Sequence, residues 1–341
     1  MPNAPTPKAP AVSFANLICR FGDKFVLLDL AREVVLPAFT DQSLKRRYRD
    51  TTYFFFETKI SEIPGSDGTN VPLIIVHGKL VKDTVLTREQ VFSQDRGLVP
   101  AQESMPSAPS SFFVLVLNNH KLIYMAETPH APMLGQFQTA LQRFLSIRYE
   151  AYVDALYSEA KSSPEPKPKK QIRLEIPHPT VEVLPLASKA SIEEFLRAFA
   201  KVTHLEFKII ETNQEYPMER TYQELRKMKK SIRATSTRLV HDSAVGLDKA
   251  NAIEQIHAAA ASGNEKVSLT GTSEDGVRLS GDNHRFKLSV HPEGLPENEL
   301  DRAAHLVKLY ADRVESGIIL EDVAADTSDK IQRLSGHLHD E

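Results

Sequence analysis

The segment SSPEPKPKKQ, residues 162–171, constrains the fold of this chain more than any other feature, because it alternates prolines with lysines. Such a composition favours an extended, solvated linker. At 341 residues the chain exceeds the usual size of one domain. We therefore predict an N-terminal domain over 11–161 and a C-terminal domain over 172–319, with a disordered start at 1–10 and an acidic tail at 320–341.

Both parts mix strand and helix patterns, which indicates an α+β fold. The N-terminal part contains β-rich runs, the hairpin SFFVLVL-NN-HKLIYMAET and a long amphipathic helix from about Met133 to Glu159. In the C-terminal part, IRLEI and LEFKIIE predict strands, and SIEEFLRAFAKV predicts a helix capped by Ser191. We expect an N-terminal mixed β-sheet with helices and a C-terminal ferredoxin-like or related α/β sandwich.

Two further local patterns complete the N-terminal prediction. KFVLLDLAREVVLPAF predicts a helix that Pro37 closes, and the Pro- and Ser-rich residues 97–111 predict a loop.

The composition excludes several classes of protein. Cys19 is the single cysteine and follows the apolar residues Leu17 and Ile18, so one chain cannot hold a disulfide framework or a cysteine-rich metal site. No apolar run approaches the roughly 18 residues of a membrane span. The proline-rich start MPNAPTPKAP lacks the apolar core of a signal peptide. We expect a cytoplasmic protein without direct membrane insertion.

Motifs of catalysis and cofactor binding are sparse. The sequence has no Walker loop, no Gly-x-Gly-x-x-Gly turn and no Gly-x-Ser-x-Gly elbow, so we expect no cofactor. Glu57-Thr58-Lys59, at the end of the strand TYFFFETK, has the Glu-x-Lys form of many metal-dependent nucleases. Its upstream acid would be Asp41 or Asp50. A half-exposed charged strand accounts for the same residues, so we favour a non-enzymatic protein and keep the nuclease as an alternative.

The basic segment RTYQELRKMKKSIRATSTRL carries the strongest functional signal, because it contains a single acid. On a helical wheel, Leu225, Met228 and Ile232 form an apolar stripe with Tyr222 beside it, and the cations occupy a neighbouring face. Like charges on one face repel each other, which favours a role in binding a polyanion. The predicted nucleic-acid-binding residues of this segment are Arg226, Lys227, Lys229, Lys230, Arg233 and Arg238.

A second basic cluster lies ahead of the aromatic strand, and the linker contributes a third. The net charge of −3 does not oppose this interpretation, since residues 320–341 hold six acids against two cations. No side chain is a clear reader of bases, so we predict sequence-independent binding of double-stranded DNA. Hydrated loops or a protein-docking adaptor remain alternatives. The clusters are Lys45, Arg46, Arg47 and Arg49, and Lys167, Lys169, Lys170 and Arg173.

The order of elements provides a biological context. The aromatic strand YFFFETK, the hairpin PSSFFVLVLNNHKLIYMAET with the helix from Met133, and a second part opening with IRLEI follow one another. In this order the chain resembles the RexA- and KwaB-like phage-exclusion proteins, from which it departs by a longer linker and acidic tail. The resemblance covers most of the chain without a shared catalytic motif. It implies a homodimeric DNA-binding component of a bacterial anti-phage defence system, acting with a membrane-protein partner encoded nearby.

Overall fold

The computed structural model describes residues 10–65, 72–162, 166–213, 220–320 and 327–339. The strands are β1 (Val12–Phe21), β2 (Phe25–Val26), β3 (Arg46–Tyr48), β4 (Thr51–Ile63), β5 (Leu73–Ser93), β6 (Gly97–Ser107), β7 (Ser110–Val116), β8 (Lys121–Ala126), β9 (Pro179–Pro185), β10 (Lys201–Ile209), β11 (Thr237–Asp242), β12 (Glu265–Thr272), β13 (Arg278–Asp282) and β14 (Ser289–Val290). The helices are α1 (Leu36–Thr40), α2 (Leu134–Lys161), α3 (Lys169–Glu175), α4 (Lys189–Leu196), α5 (Arg220–Ser231), α6 (Lys249–Ala260), α7 (Glu299–Glu315) and α8 (Ser328–His339). The predicted α+β class is confirmed.

A large antiparallel sheet has the strand order β14–β1–β8–β7–β5–β4–β3, with β2 and β9 also pairing with β1, and β6 with β5. The sequence of strand β1 is a nearly continuous run of apolar residues, because both faces of the sheet are covered. On one face, Phe55 and Phe113 pack against Phe137 of α2. On the other face, Phe14 packs against Tyr310 of α7.

Main-chain pairing in this sheet crosses the segment at 162–171. Strand β9 pairs with β1 through Leu17↔Val183, and β14 pairs with the start of β1 through Val12↔Val290. Both strands follow that segment in sequence, and its residues 163–165 lie outside the described residues. The two predicted domains therefore share one sheet.

A second antiparallel sheet has the order β11–β10–β12–β13 and lies within the predicted C-terminal part. One of its faces carries α4, α5 and α6, which contribute Ile192, Tyr222 and Ile256 to a core around Phe207 of β10. The alternation of β10, with Leu205, Phe207 and Ile209 inward, follows from this one-sided cover. This is the sandwich of helices on an antiparallel sheet that the sequence predicts.

Two predictions at the start of the second part are wrong. IRLEI is not a strand: its first four residues belong to α3, since Ile172 and Ile176, four residues apart, both pack against the core below α2. The cap of α4 is Ser188 and not Ser191. The Ser188 hydroxyl accepts a hydrogen bond from the Ser191 backbone N–H at 3.1 Å, and the Ser191 hydroxyl accepts one from the Ser188 N–H at 3.0 Å.

Two predictions in the first part are also wrong. Residues 97–107 of the predicted loop form β6, because their main chain pairs with β5 and the prolines, Pro100 and Pro106, stand on a strand at the sheet margin. Pro37 lies in the first turn of α1 and does not end the helix; a 3-10 turn at Leu27–Leu30 and a π-helical turn at Ala31–Val35 lead directly into α1.

The predicted acidic tail contains a packed element. Ile331 and Leu334 of α8 are buried against the core of the large sheet, and Lys330 Nζ lies 2.7 Å from Asp29 Oδ1. Residues 321–326 and 340–341 of the tail, and 1–9 of the predicted disordered start, lie outside the described residues. None of the helices in the described ranges has the length and hydrophobicity that a bilayer crossing requires.

Candidate nucleic-acid interface

The structure places Lys45, Arg46, Arg47 and Arg49 together on β3 and its flanks; we call these four residues the β3 basic surface. Strand β3 is the last strand of the large sheet and pairs with β4 through Arg46↔Tyr53 and Arg47↔Thr52. Arg49 adopts a φ of 54° in the two-residue turn between the strands. Lys45, Arg47 and Arg49 are exposed and Arg46 is half-buried, so an edge strand and a tight turn concentrate four cations.

Aromatic rings hold three of these cations. The Arg46 guanidinium lies 5.6 Å from the ring centres of Tyr48 and Tyr53, and that of Arg49 lies 5.5 Å from Tyr48. Lys45 Nζ lies 5.6 Å from the Phe54 ring centre. Such cation–π contacts stabilise exposed cations by about 0.5–1 kcal/mol each without neutralising their charge. The surface therefore keeps its positive charge in a fixed position.

No carboxylate oxygen in the described part of the chain lies within 4 Å of a charged nitrogen of the β3 basic surface. The neighbouring ring of Tyr48 is 54% exposed and that of Phe56 is 43% exposed. Unpaired cations beside exposed rings are the combination that contacts phosphates and stacks on bases. Sequence analysis did not single out these rings, although the alternation of Phe54 and Phe56 with the buried Tyr53 and Phe55 marks an outward-facing pair.

The basic helix α5 forms as predicted but packs by a different face. Tyr222, Arg226 and Lys229 are buried, and Tyr222 lies 6.2 Å from the ring of Phe207, while Met228 is 52% exposed and Ile232 is 68% exposed. The predicted apolar stripe of Leu225, Met228 and Ile232 is therefore wrong, apart from the partly buried Leu225.

The reason is a pair of carboxylates that the small sheet presents beneath α5. Arg226 Nη2 lies 2.5 Å from Glu265 Oε1 of β12 and donates to the Asn264 carbonyl at 3.2 Å. Lys229 Nζ lies 3.1 Å from Glu211 Oε1, just after β10. Burying charges is tolerated only when they are paired, so these two carboxylates select the face on which α5 docks.

Further ion pairs involve two of the four remaining predicted cations of this segment. Lys230 lies 3.7 Å from Glu211, and Arg238 of β11 lies 3.4 Å from Glu206 of β10. Burial alone would raise the pKa of Glu211, but the Lys229 hydrogen bond and the charges of Lys229, Lys230 and Arg20 together hold it below its usual value. Lys227 and Arg233 are the two predicted site residues here that have no carboxylate within 4 Å among the described residues.

Three of the four basic residues of the predicted linker cluster are also paired, whereas Lys170 is exposed, with no carboxylate within 4 Å among the described residues. Lys167 contacts Glu175 at 3.0 Å, Lys169 contacts Asp154 at 2.5 Å, and Arg173 contacts Glu150 at 2.7 Å. These contacts tie α3 to the side of α2. Their cations serve packing between helices, which leaves the β3 basic surface as the main unpaired cluster that the sequence predicted.

The Glu-x-Lys pattern lies on a β-bulge between Phe56 and Lys59, where Glu57 has a φ of 51°. Glu57 lies 3.9 Å from Lys79, so its carboxylate faces a cation. Asp41, one proposed upstream acid, contacts Arg148 at 3.2 Å. The Ser43 hydrogen bonds, together with the charge of Arg148, lower the pKa of Asp41.

The other proposed acid, Asp50, lies in the turn between β3 and β4. Among the described residues, no group of three His, Cys, Asp or Glu side chains is arranged to hold a metal ion. The bulge therefore contains the Glu-x-Lys pair without the carboxylate partners that the nuclease alternative requires.

Residues 169–308 match the model of a domain of unknown function, DUF4747. These 140 residues contain α5 and the whole small sheet, and they exclude the β3 basic surface. No curated protein matches the chain.

Proposed function

We propose that this protein binds double-stranded DNA without sequence preference through the β3 basic surface. The observation that carries the proposal is that Lys45, Arg46, Arg47 and Arg49 lie together, exposed or half-exposed, with no carboxylate partner among the described residues. Phosphates are the complementary ligand for such a cluster, because their binding releases condensed counterions from the duplex. The four side chains are long, and aromatic rings lie beside Lys45, Arg46 and Arg49, which suits contact with the DNA backbone rather than base reading.

The test measures fluorescence anisotropy of a labelled duplex of mixed sequence across a salt series. Four phosphate contacts give a slope of log affinity against log salt of about −3 to −4. In the variant Arg46→Glu/Arg47→Glu/Arg49→Glu, we expect the affinity at low salt to fall by about 100-fold or more, because three attractions become repulsions.

The matched control reverses the two exposed charges of the α5 region that have no carboxylate within 4 Å among the described residues, in Lys227→Glu/Arg233→Glu, and is compared with Arg47→Glu/Arg49→Glu on β3. All four side chains are exposed, so both variants should fold, and we expect the α5 variant to lose less than tenfold in affinity. Equal losses in the two variants would place the contact elsewhere, and a wild-type protein without affinity at low salt would end the proposal.

We further propose that the protein acts in the cytoplasm of bacteria as a component of anti-phage defence, as a homodimer with a membrane-protein partner. The support is the aromatic strand followed later in the chain by the β7–β8 hairpin and the long helix α2, an order that resembles RexA- and KwaB-like proteins, together with the single, buried Cys19. Phage plating efficiency on cells with the gene and its neighbours measures this role. We expect the wild-type chain to reduce plating and the triple β3 variant to restore it; equal plating with and without the gene would exclude the role.

A further inference from the structure

The far half of β5 leaves the large sheet and forms a projecting arm with β6. The body of β5 pairs with β4 as far as Asp83 and with β7 as far as Val81. Beyond that point, residues 84–107 pair only with each other among the described residues, from Thr84↔Ser107 at the base to Ser93↔Gly97 at the tip. Gly97 has a φ of 68°, which closes the three-residue tip. We call residues 84–107 the arm.

The arm has no core of its own. A two-stranded ribbon is marginally stable in water, because both faces meet solvent and few apolar groups are covered. Yet the arm is rich in exposed large apolar side chains: among the described residues, five of the fifteen exposed large hydrophobic residues fall in these 24 positions. They are Val85, Leu86, Phe92, Leu98 and Met105. This concentration indicates a surface that another protein covers.

The strand register assembles most of these side chains on one face. Leu86 lies opposite Met105 near the base, and Phe92 lies opposite Leu98 near the tip. Positions 86, 88, 90 and 92 of β5 share this face, since successive side chains alternate. A bulge in β6 opposite residues 88–90 brings Leu98, seven residues before Met105, to the same face. Leu86 is 41% exposed and Met105 62%, whereas Phe92 is 74% exposed and Leu98 69%. Between the two apolar pairs lies Arg88, 3.5 Å from Glu103 of β6.

The charge of the arm argues against DNA or an anionic membrane as the covering partner. The arm holds two arginines, Arg88 and Arg96, against Glu89, Asp95 and Glu103, a net charge of −1. A polyanion or an anionic bilayer would be repelled or unaffected by this balance. The apolar pairs therefore fit a protein surface.

The pattern on this face is complementary to itself. When two arms stack antiparallel with their apolar faces together, residue 86 of one copy meets residue 92 of the other, about a two-fold axis level with Glu89. Leu86 and Met105 of each copy then cover Phe92 and Leu98 of its partner. Arg88 meets the neutral Gln90, so no like charges oppose each other.

We propose that a second copy of this chain covers the arm in this antiparallel, face-to-face arrangement. The exposed parts of the four apolar side chains and their neighbours amount to about 1,000 Å² over both copies, the low end of specific interfaces. The association should therefore be reversible, with a dissociation constant of about 1–100 µM.

The arrangement also sets a distance between the two β3 basic surfaces. The base of the arm adjoins the turn after β3, since the Thr51 and Thr84 hydroxyls lie 2.9 Å apart. Ten residues of β5 span about 33 Å. Antiparallel arms therefore separate the two surfaces by about one turn of duplex DNA. This spacing rests on the proposed DNA binding, whereas the self-association does not.

The test is sedimentation velocity of the full chain without DNA, over concentrations from about 1 to 200 µM. The wild-type mass should rise from 38.2 kDa toward twice that value. Phe92→Glu/Leu98→Glu should remain monomeric throughout, with association weakened by at least about tenfold. The control Thr87→Glu/Ser104→Glu adds the same charge to exposed positions on the opposite face and should associate like the wild type.

A separate experiment tests the antiparallel orientation of the two arms. Phe92→Glu and Leu86→Lys should each associate poorly alone, whereas an equimolar mixture should associate, because the new charges meet in antiparallel stacking. A monomeric wild type at the highest concentration would overturn the proposal. So would a dimer that Phe92→Glu/Leu98→Glu leaves intact, or a mixture no stronger than its components. None of these outcomes depends on whether the protein binds DNA.

Discussion

The two basic regions of this chain look alike in sequence and differ in the structure. In α5, Arg226 and Lys229 turn inward and meet the carboxylates of Glu265 and Glu211. The β3 basic surface stands on an edge strand, where tyrosine rings surround its cations and no described carboxylate reaches them. The difference shows that a run of like charges indicates a binding surface only when no carboxylate side chains pair with it, and such carboxylates can lie far away in sequence. The β3 basic surface, the shorter of the two basic segments in sequence, is therefore the better candidate for a phosphate contact.

The largest effect that sharpens this comparison comes from Glu265→Gln. It leaves the Arg226 guanidinium buried without its carboxylate, so we expect the free energy of unfolding to fall by about 3–5 kcal/mol. Urea unfolding followed by circular dichroism measures the change. Arg47→Gln on β3 serves as the comparison and should cost less than about 0.5 kcal/mol. A loss below about 1 kcal/mol for Glu265→Gln would mean that this ion pair does not fix α5.

The second largest effect that we expect is a loss of the ion pair between Glu211 and α5 at acidic pH. The pKa of Glu211 is lowered in the folded protein, so the stability it contributes is complete above its ordinary pKa of 4.5 and disappears as pH falls through the lower folded value. We expect Glu211→Gln to be about 1–2 kcal/mol less stable than the wild type at pH 6. That difference should shrink below pH 4.5. A difference that stays constant down to pH 3 would contradict the ion pair.

A smaller effect concerns DNA affinity at the β3 basic surface. Arg47→Ala should weaken duplex binding by about 3–10-fold at moderate salt and reduce the salt slope by about 0.9, because one phosphate contact is lost. Lys227→Ala removes from α5 an exposed cation that has no carboxylate within 4 Å in the described part of the chain, and it is the matched control. Anisotropy titrations at four salt concentrations give both slopes. An identical change of slope for the two variants would remove the distinction between the regions.

The smallest expected effect is the most direct test of which face of α5 is buried. Met228→Lys and Ile232→Lys lie on its exposed side, so each should change the free energy of unfolding by less than about 0.5 kcal/mol. Tyr222→Lys, on the buried side, should cost at least about 3 kcal/mol. Urea unfolding measures the free energy of unfolding of the three variants and thereby shows which face is buried. Similar losses at all three positions would mean that the wheel prediction was right after all.

The sequence predicted those elements whose signals are local. Strand β1, the β7–β8 pair and α2 were readable because apolar periodicity and turn residues lie within each element. The face of α5 was not readable, since its wheel contains more cations than apolar residues, and Glu211 and Glu265 complete the buried side from other elements. IRLEI failed for a related reason: five alternating residues fit one helical turn as well as a strand.

Only part of the candidate site could be predicted from the sequence. The four cations of the β3 basic surface were predicted by composition, but their isolation from carboxylates could be established only from packing. Tyr48 and Phe56 were passed over because aromatic residues in a strand usually indicate a core. The arm was missed because Pro100 and Pro106 suggested a loop, and prolines are compatible with a strand only where one edge is free.

Strand β1 has a consequence for how the protein is made. The strand is synthesised before its partners, and one of its edges stays unpaired until β9 and Val290 of β14 have followed. Until those residues are synthesised, an apolar strand stands with an unpaired edge, which is the usual starting point of aggregation. Such long-range pairing also closes slowly. Nascent chains of this protein should therefore depend on chaperones until the segment beyond residue 290 has emerged, and fragments that stop near residue 161 should precipitate.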